Sequence, residues 1–216
     1  MAIKVILPGD EATVQNHARW VADQPFRRVL DVGGAAKPLR AATHVLDIAP
    51  YKHRRQDEGR GPLPERFSKE TWKEWDVNER PWPFTRNYFD YVWCCQVVED
   101  LRDPIGACNE MMRVGRAGFI STVHRSYESS VVQYDGVVGY HHHRWLVETI
   151  EPAGVQFVYK SPMLHVNPTL RAPEAKQWLL HWTWKGGFAA EEKFTGGDQE
   201  QRAELEKYLQ ERRFEE

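Results

Sequence analysis

Over the first 125 positions the apolar residues recur with two periods, one helical and one extended. Behind Asp10, a suitable N-cap, Val14, His17, Ala18 and Val21 fall at helical spacing, which predicts a helix from Asp10 to Ala22, closed before Pro25. RRVLDVGG is then a short β-branched run stopped by two glycines, a buried strand entering a tight turn. THVLDIAP repeats that form about fifteen residues later and ends in an acid. Residues 51–69 are rich in charge, Gly and Pro without periodicity and predict an exposed loop. Trp72 to Val77 predicts a short strand, and RPWPF a Pro-aromatic turn. FDYVWCCQVV is another apolar run, followed by the helical series Ile105, Cys108, Met111, Met112 and the strand AGFISTV. Strand, helix, strand in repetition predicts an α/β fold: a doubly wound, mostly parallel, Rossmann-like sheet in a single domain over 1–216.

The second half is less regular. Residues 124–145 are polar and aromatic and read as an insertion at the acceptor end of the site. WLVETIEPAG predicts a helix capped by Gly154, VQFVYKSP a strand, and Trp178 to Trp184 an edge strand. From Asp198 to Arg213 a charged helix carries Leu205, Tyr208 and Leu209 on one stripe, a surface for pairing two subunits.

Composition narrows the function classes. The chain has 216 residues with 29 Lys and Arg against 31 Asp and Glu, a net charge of −2, so no footprint for nucleic acid or a polybasic membrane anchor is expected. No run approaches the roughly 20 apolar residues of a membrane span. MAIKVILPGDEAT lacks the long apolar core of a secretory signal, and Cys94, Cys95 and Cys108 are too few for a disulfide framework. A cytoplasmic protein with reduced thiols is expected.

Two features suit a ligand crevice at the carboxyl ends of the strands. Gly33 and Gly34 let backbone approach a ligand closely, and Asp47 ends the second strand, where an acid can accept both hydroxyl hydrogens of a ribose. A dinucleotide fingerprint needs G-x-G-x-x-G, but the stretch here is G-G-A-A-K-P, with no third glycine in register. Asp31 would moreover repel a phosphate. A ligand without phosphates fits better.

These residues resemble the class I S-adenosylmethionine-dependent methyltransferases, in the group with the type-11 pattern. The resemblance runs from about Val29 to Val123. VLDVGG matches the first motif and HVLDIAP the second; WDVNERPWPFTRNYFDYV resembles the stretch with an acid beside the adenine. CCQVVEDLRDPIGACNEMMRVGRAGFISTV matches the last block through Glu99, Asp103-Pro104, Glu110, Arg113-Val114 and Gly118. The resemblance implies S-adenosylmethionine as cofactor. It would place Asp31, Gly33, Gly34 and Ala35 at the methionine part, Asp47 at the ribose, Ile48 beside the adenine, Asp76 and Val77 at its amino group and ring, and Cys95 and Gln96 at the methionyl end. Three positions depart from the pattern: Ala35 stands for a second glycine, Asp100 for a frequent histidine, and Gly115-Arg116-Ala117-Gly118 for a Pro-Gly-Gly turn.

Methyl transfer from a sulfonium needs position more than acid-base groups, and a base only where the acceptor sheds a proton. The candidates for that work are Asp100 and the three histidines His141, His142 and His143, of which an extended chain would place the first and third on one side. His124, Arg125, Tyr127, Tyr140 and Arg144 are the expected acceptor-binding groups, Arg144 as a clamp for a carboxylate. A structural role for the imidazoles, or a metal held with His124, His165 or a carboxylate, stays open; no histidine pair with a matching third ligand stands out, and no metal is assigned. A small-molecule methyltransferase is the expected function. A non-catalytic S-adenosylmethionine sensor or partner, or a metal-dependent enzyme on the same scaffold, are the alternatives.

Overall fold

The computed structural model describes residues 2–133, 135–150, 154–172 and 178–212. A seven-stranded sheet forms the centre, in the order β1-β9-β6-β5-β2-β3-β4. Its strands are β1 (Ala2–Gly9), β2 (Val29–Val32), β3 (His44–Asp47), β4 (Trp72–Glu74), β5 (Tyr91–Cys95), β6 (Ala117–Val123) and β9 (Leu179–Lys185). The five from β4 to β6 run parallel, and β9 is antiparallel to both β6 and β1. A second sheet, β10-β8-β7, is built from β7 (Trp145–Ile150), β8 (Gly154–Tyr159) and β10 (Ala189–Lys193).

Both faces of the large sheet are covered, as a parallel sheet requires. Alternation within single strands shows the two sides. In β5, Val92 and Cys94 join one core with Leu30, Leu46, Ile120 and Trp182, while Tyr91, Trp93 and Cys95 join the other with Val45 and Phe119. The first face is closed by α2 (Pro104–Val114), through Ala107, Cys108, Met111 and Val114, and by Val147, Val155 and Phe157 of the small sheet. The second is closed by α1 (Glu11–Asp23) through Val14, Ala18 and Val21, with Asp10 capping its first turn by accepting from Thr13 N at 2.7 Å.

The family-like E-x-x-R-V stretch in α2 has a structural task. Arg113 donates to Glu110, to Phe84 O at 2.7 Å and to Trp82 O at 3.1 Å, and Glu110 accepts from Trp82 N at 2.6 Å. The pair thereby pins the Pro-aromatic turn onto the helix and lets Trp82 fill the core beneath.

Several sequence expectations need correcting. WLVETI is not a helix: it is β7, paired antiparallel with β8, and Gly154 opens β8 instead of capping a helix. Val147, Thr149 and Ile150 are β-branched and fit a pleated, half-buried surface better than a helix. The strand predicted at the edge, β9, is interior, because β1 covers it. The loop at 51–69 is not wholly exposed, since Arg60 and Phe67 are buried. Two short helices, α3 (Arg125–Glu128) and α4 (Met163–Val166), precede the C-terminal helix α5, which spans Asp198–Arg212; Arg213 lies outside the described residues. Leu205 and Leu209 of α5 are buried, Leu205 against the small sheet's Leu146 and Val158. Among the described residues no helix is long and apolar enough to cross a membrane.

Candidate functional site

Strand order reverses between β2 and β5: from β2 the chain goes outward to β3 and β4, from β5 the other way to β6. Parallel strands separating in this manner open a crevice at their carboxyl ends. Gly33 leaves β2 with φ +75, and a Cβ there would lie 2.3 Å from Val97 Cγ2. A Cβ on Gly34 would lie 2.3 Å from Asp31 Oδ2. Gly33→Ala is therefore expected to cost about 1–2 kcal/mol for the left-handed backbone alone, and more for the collision. A chemical denaturation midpoint equal to that of the parent would show that this turn is not tightly packed.

Asp47 closes the crevice floor. Its carboxylate accepts from Ala35 N at 2.9 Å and Ala49 N at 2.7 Å, fixing both turns at once. Each oxygen has a second lone pair for a hydroxyl donor. The neighbouring Ile48 is 69% exposed, an apolar side chain left uncovered next to an anchored acid. Trp72 braces this corner by donating to Ala49 O at 2.8 Å. The glycine turn, the anchored acid and the exposed Ile48 thus lie at the carboxyl ends of β2 and β3.

The remaining cofactor candidates are placed as follows. Asp76 accepts from the main chain and side chain of Asn78, both at 2.9 Å. Val77 is buried in the core beneath. Cys95 is buried, and Gln96 follows it at φ +58 with its amide oxygen accepting from Arg60 at 3.0 Å. Arg60, which the sequence reading passed over, also reaches Glu11 at 3.3 Å and ties loop 51–69 to α1. Asp31 is buried and accepts from Leu39 N at 2.7 Å, shaping the glycine turn from below.

Burial pushes the Asp31 carboxyl up to about 7, against the Leu39 hydrogen bond and the Arg60 charge, which pull it down. A folded-state pKa above the unfolded one means that ionisation opposes folding. That contribution is absent below the unfolded pKa near 4, grows as pH rises, and is complete above about 7. Asp31→Asn is expected to flatten the fall in stability between pH 5 and pH 8, read by denaturant unfolding at both. An unchanged slope would remove Asp31 from this role.

A second cluster of candidate residues is stitched from two segments distant in sequence. After β5 the chain turns, Asp100 N donating to Val97 O at 3.0 Å, and the histidine segment is fastened to it by Arg144 N on Glu99 O at 2.8 Å and Trp145 Nε1 on Leu101 O at 2.8 Å. This brings Asp100, His142 and His143 together, one ligand atom from each lying within 4.8 Å of the others. His143 is buried, its Nδ1 bonded to Glu128 Oε2 at 2.8 Å and its Nε2 3.9 Å from Asp100 Oδ1. That Asp100 oxygen is buried and has no hydrogen-bond partner among the described residues. Glu128, from the short helix α3 (Arg125–Glu128), also accepts from the buried Lys160 Nζ at 2.5 Å and from Tyr140 N at 2.8 Å.

The charges follow from these contacts. Burial opposes the charge on Glu128, yet His143 and Lys160 hold its carboxyl below the usual range. Burial likewise opposes a charged His143, but the Glu128 bond and charge, with Glu99 and Asp100 near it, carry its pKa upward. Burial raises Asp100 against the pull of His143 and His142.

The chain at the three histidines is a turn, not an extended strand, so the expected pairing of His141 with His143 does not form: His142 and His143 share Asp100, while His141 pairs with Asp135 at 2.8 Å and its ring lies 6.0 Å from that of His165. His124 caps α3, its Nδ1 2.6 Å from Ser126 Oγ. Arg125 is turned away into the interior, bound to Glu148 at 3.0 Å and Glu204 at 3.1 Å and lying 4.0 Å over the Tyr208 ring, which fastens α5 to the body. Tyr127 and Tyr140 are half-buried and Arg144 is exposed. Glu128 and Lys160 carried no signal in the sequence, because they meet only when β8 and α3 are packed.

Residues 30–120 match the family described as a methyltransferase domain. Over that segment the chain matches a methyltransferase domain, an enzyme family whose cofactor is S-adenosylmethionine. No curated protein matches it. Among solved structures, the S-adenosylmethionine-dependent methyltransferase from Mesorhizobium loti is 14% identical, with 81% of this chain and 97% of that one covered and a TM-score of 0.44. The N-terminal domain of EvdMO1, solved in the presence of SAH and D-fucose, is 14% identical over 79% of this chain and 82% of that one, TM-score 0.43. The [4+2]-cyclase SpnF is 16% identical with a TM-score of 0.37; the match covers 53% of this chain and 46% of the cyclase. All three scores lie below 0.5, so the assignment rests on the family match and the strand order.

Proposed function

We propose that the protein transfers a methyl group to an O–H or N–H group of a small-molecule acceptor bound between the cofactor crevice and the Asp100–His143 cluster. The observation that carries this is the buried Asp100 Oδ1, an acceptor without a donor among the described residues, beside an imidazole locked in place by Glu128. Leaving such an oxygen unpaired costs about 1–3 kcal/mol, which a bound donor returns.

When bound, S-adenosylmethionine supplies an activated methyl on a sulfonium, whose sulfur keeps the electron pair of the broken C–S bond. The protein's part is positional. Gly33 and Gly34 let the backbone approach the methionyl end, Asp47 orients the ribose, and Ile48 covers the ring. Asp100 and His143 hold the acceptor's heteroatom so that its lone pair faces the methyl, the source of most of the rate in a displacement of this kind. As the new bond forms, the acceptor's proton passes to the Asp100 carboxylate, whose side chain is 38% exposed and relays it to water.

A small acceptor is supported by the net charge of −2, which offers no footprint for a polyanion. Three free, buried cysteines support a reducing, cytoplasmic setting. Incubation with methyl-labelled S-adenosylmethionine and a panel of small phenols, acids and amines tests the reading. It expects label in an acceptor with the parent and its loss in Asp100→Asn. Cofactor binding with no transfer to any member would favour a sensor or partner.

A further inference from the structure

We propose that Asp100, His142 and His143 bind a divalent first-row transition ion of the zinc class, which seats the acceptor's heteroatom in its open position. The inference deepens the methyl-transfer reading for the acceptor's role, but ion binding itself stands apart from it.

Donor chemistry comes first. Two imidazoles and one carboxylate favour a transition ion over magnesium or calcium, which take oxygen-rich cages. Ligands on a tetrahedral ion at about 2.0–2.2 Å sit about 3.4 Å from one another. His143 Nε2 and Asp100 Oδ1 are 3.9 Å apart, and the three ligand atoms lie within 4.8 Å. Small side-chain rotations close that gap, and the exposed His142 has room to make the largest of them.

The surroundings match a ligand set more closely than an ordinary polar cluster. The Nδ1 of His143 is taken by Glu128 Oε2 at 2.8 Å, which leaves Nε2 as the nitrogen that faces Asp100. A histidine held by a carboxylate on its far nitrogen is the recurrent outer arrangement of metal ligands, because it fixes the tautomer and the ring direction. Glu128 is itself fixed by Lys160 Nζ and Tyr140 N. Asp100 Oδ1 is buried without a donor among the described residues, so an ion would supply the positive partner it lacks and leave Oδ2 to take the acceptor's proton. The backbone bond from Arg144 N to Glu99 O holds the two ligand-bearing segments in register. Three protein ligands leave a coordination position open, where an acceptor oxygen or nitrogen would be polarised and aimed.

Chelator-dialysed full-length protein titrated with zinc by calorimetry tests this, with cobalt added in parallel as an absorbing probe. The expected result is one saturable ion per chain and visible cobalt absorption of a four- or five-coordinate site. His142→Ala and Asp100→Asn should each weaken zinc at least about tenfold, judged against the factor that even outer-shell partners contribute. His141→Ala, outside the cluster, should leave it unchanged. No saturable binding by the parent, or unaltered affinity in both ligand variants, overturns the proposal; His142 is exposed, so its variant is a fair test without a folding penalty. Titration of the same samples with S-adenosylhomocysteine separates the two readings: zinc bound and the nucleoside refused would keep the ion site and remove the methyl-transfer reading.

Discussion

Asp47→Ala is expected to weaken S-adenosylmethionine about 100-fold, the largest loss among single changes in the crevice. In the parent the carboxylate holds Ala35 N and Ala49 N, and each oxygen keeps a second lone pair for a ribose hydroxyl. Two hydrogen bonds to a charged group, taken at the low end of about 1.5–3 kcal/mol each, come to about 3 kcal/mol, a factor of somewhat over 100. Deleting the carboxylate also releases both turns, so the glycine cradle loses its registration as the ribose loses its partner. Asp47→Asn keeps an oxygen for one amide and should fall between the two, near tenfold. Calorimetry on the three proteins checks the order. Equal affinity in parent and Asp47→Ala would mean that the acid is only a capping group.

The second large effect is on turnover. Asp100→Asn and His143→Ala are each expected to lower kcat by about 100-fold or more, the size of contribution expected from a group that positions the reacting atoms or takes a proton in the transition state. The affinity for S-adenosylhomocysteine should stay within about twofold, because neither side chain belongs to the cofactor crevice. His143→Ala also leaves Glu128 with Lys160 and the Tyr140 amide, so its melting transition should be recorded beside the kinetics; Asp100, with its side chain 38% exposed, separates chemistry from folding. A pair of variants that lose cofactor binding and turnover together would place this cluster in the wrong part of the mechanism.

The parallel half of the fold was legible because its strands state both faces. YVWCC sends alternate residues into two different cores, and β-branched runs ending in glycine or acid mark the carboxyl ends where the crevice lies. β7 was misread because WLVETI is too short for helical and extended periods to separate, and its pairing with β8 lies outside its own sequence. β1 escaped notice for a related reason: nothing in AIKVILPG says that it will cover β9.

The site divides along the same line. Gly33, Gly34 and Asp47 sit on one short stretch of chain, so local pattern finds them. The acceptor cluster is assembled by long-range contacts, with Glu128 15 positions from His143 and 32 from Lys160, and no local spacing distinguishes His143 from its neighbours. Arg125 looked like a rim residue by position yet is drawn inward by Glu148 and Glu204, the second of which lies 79 positions away.

The most direct test is calorimetric titration of the parent with S-adenosylhomocysteine and, separately, with NAD. A crevice with a two-glycine turn, a ribose acid and no pyrophosphate cradle predicts micromolar, single-site binding of the first and none of the second. Tight NAD binding, or no binding of S-adenosylhomocysteine, would contradict it.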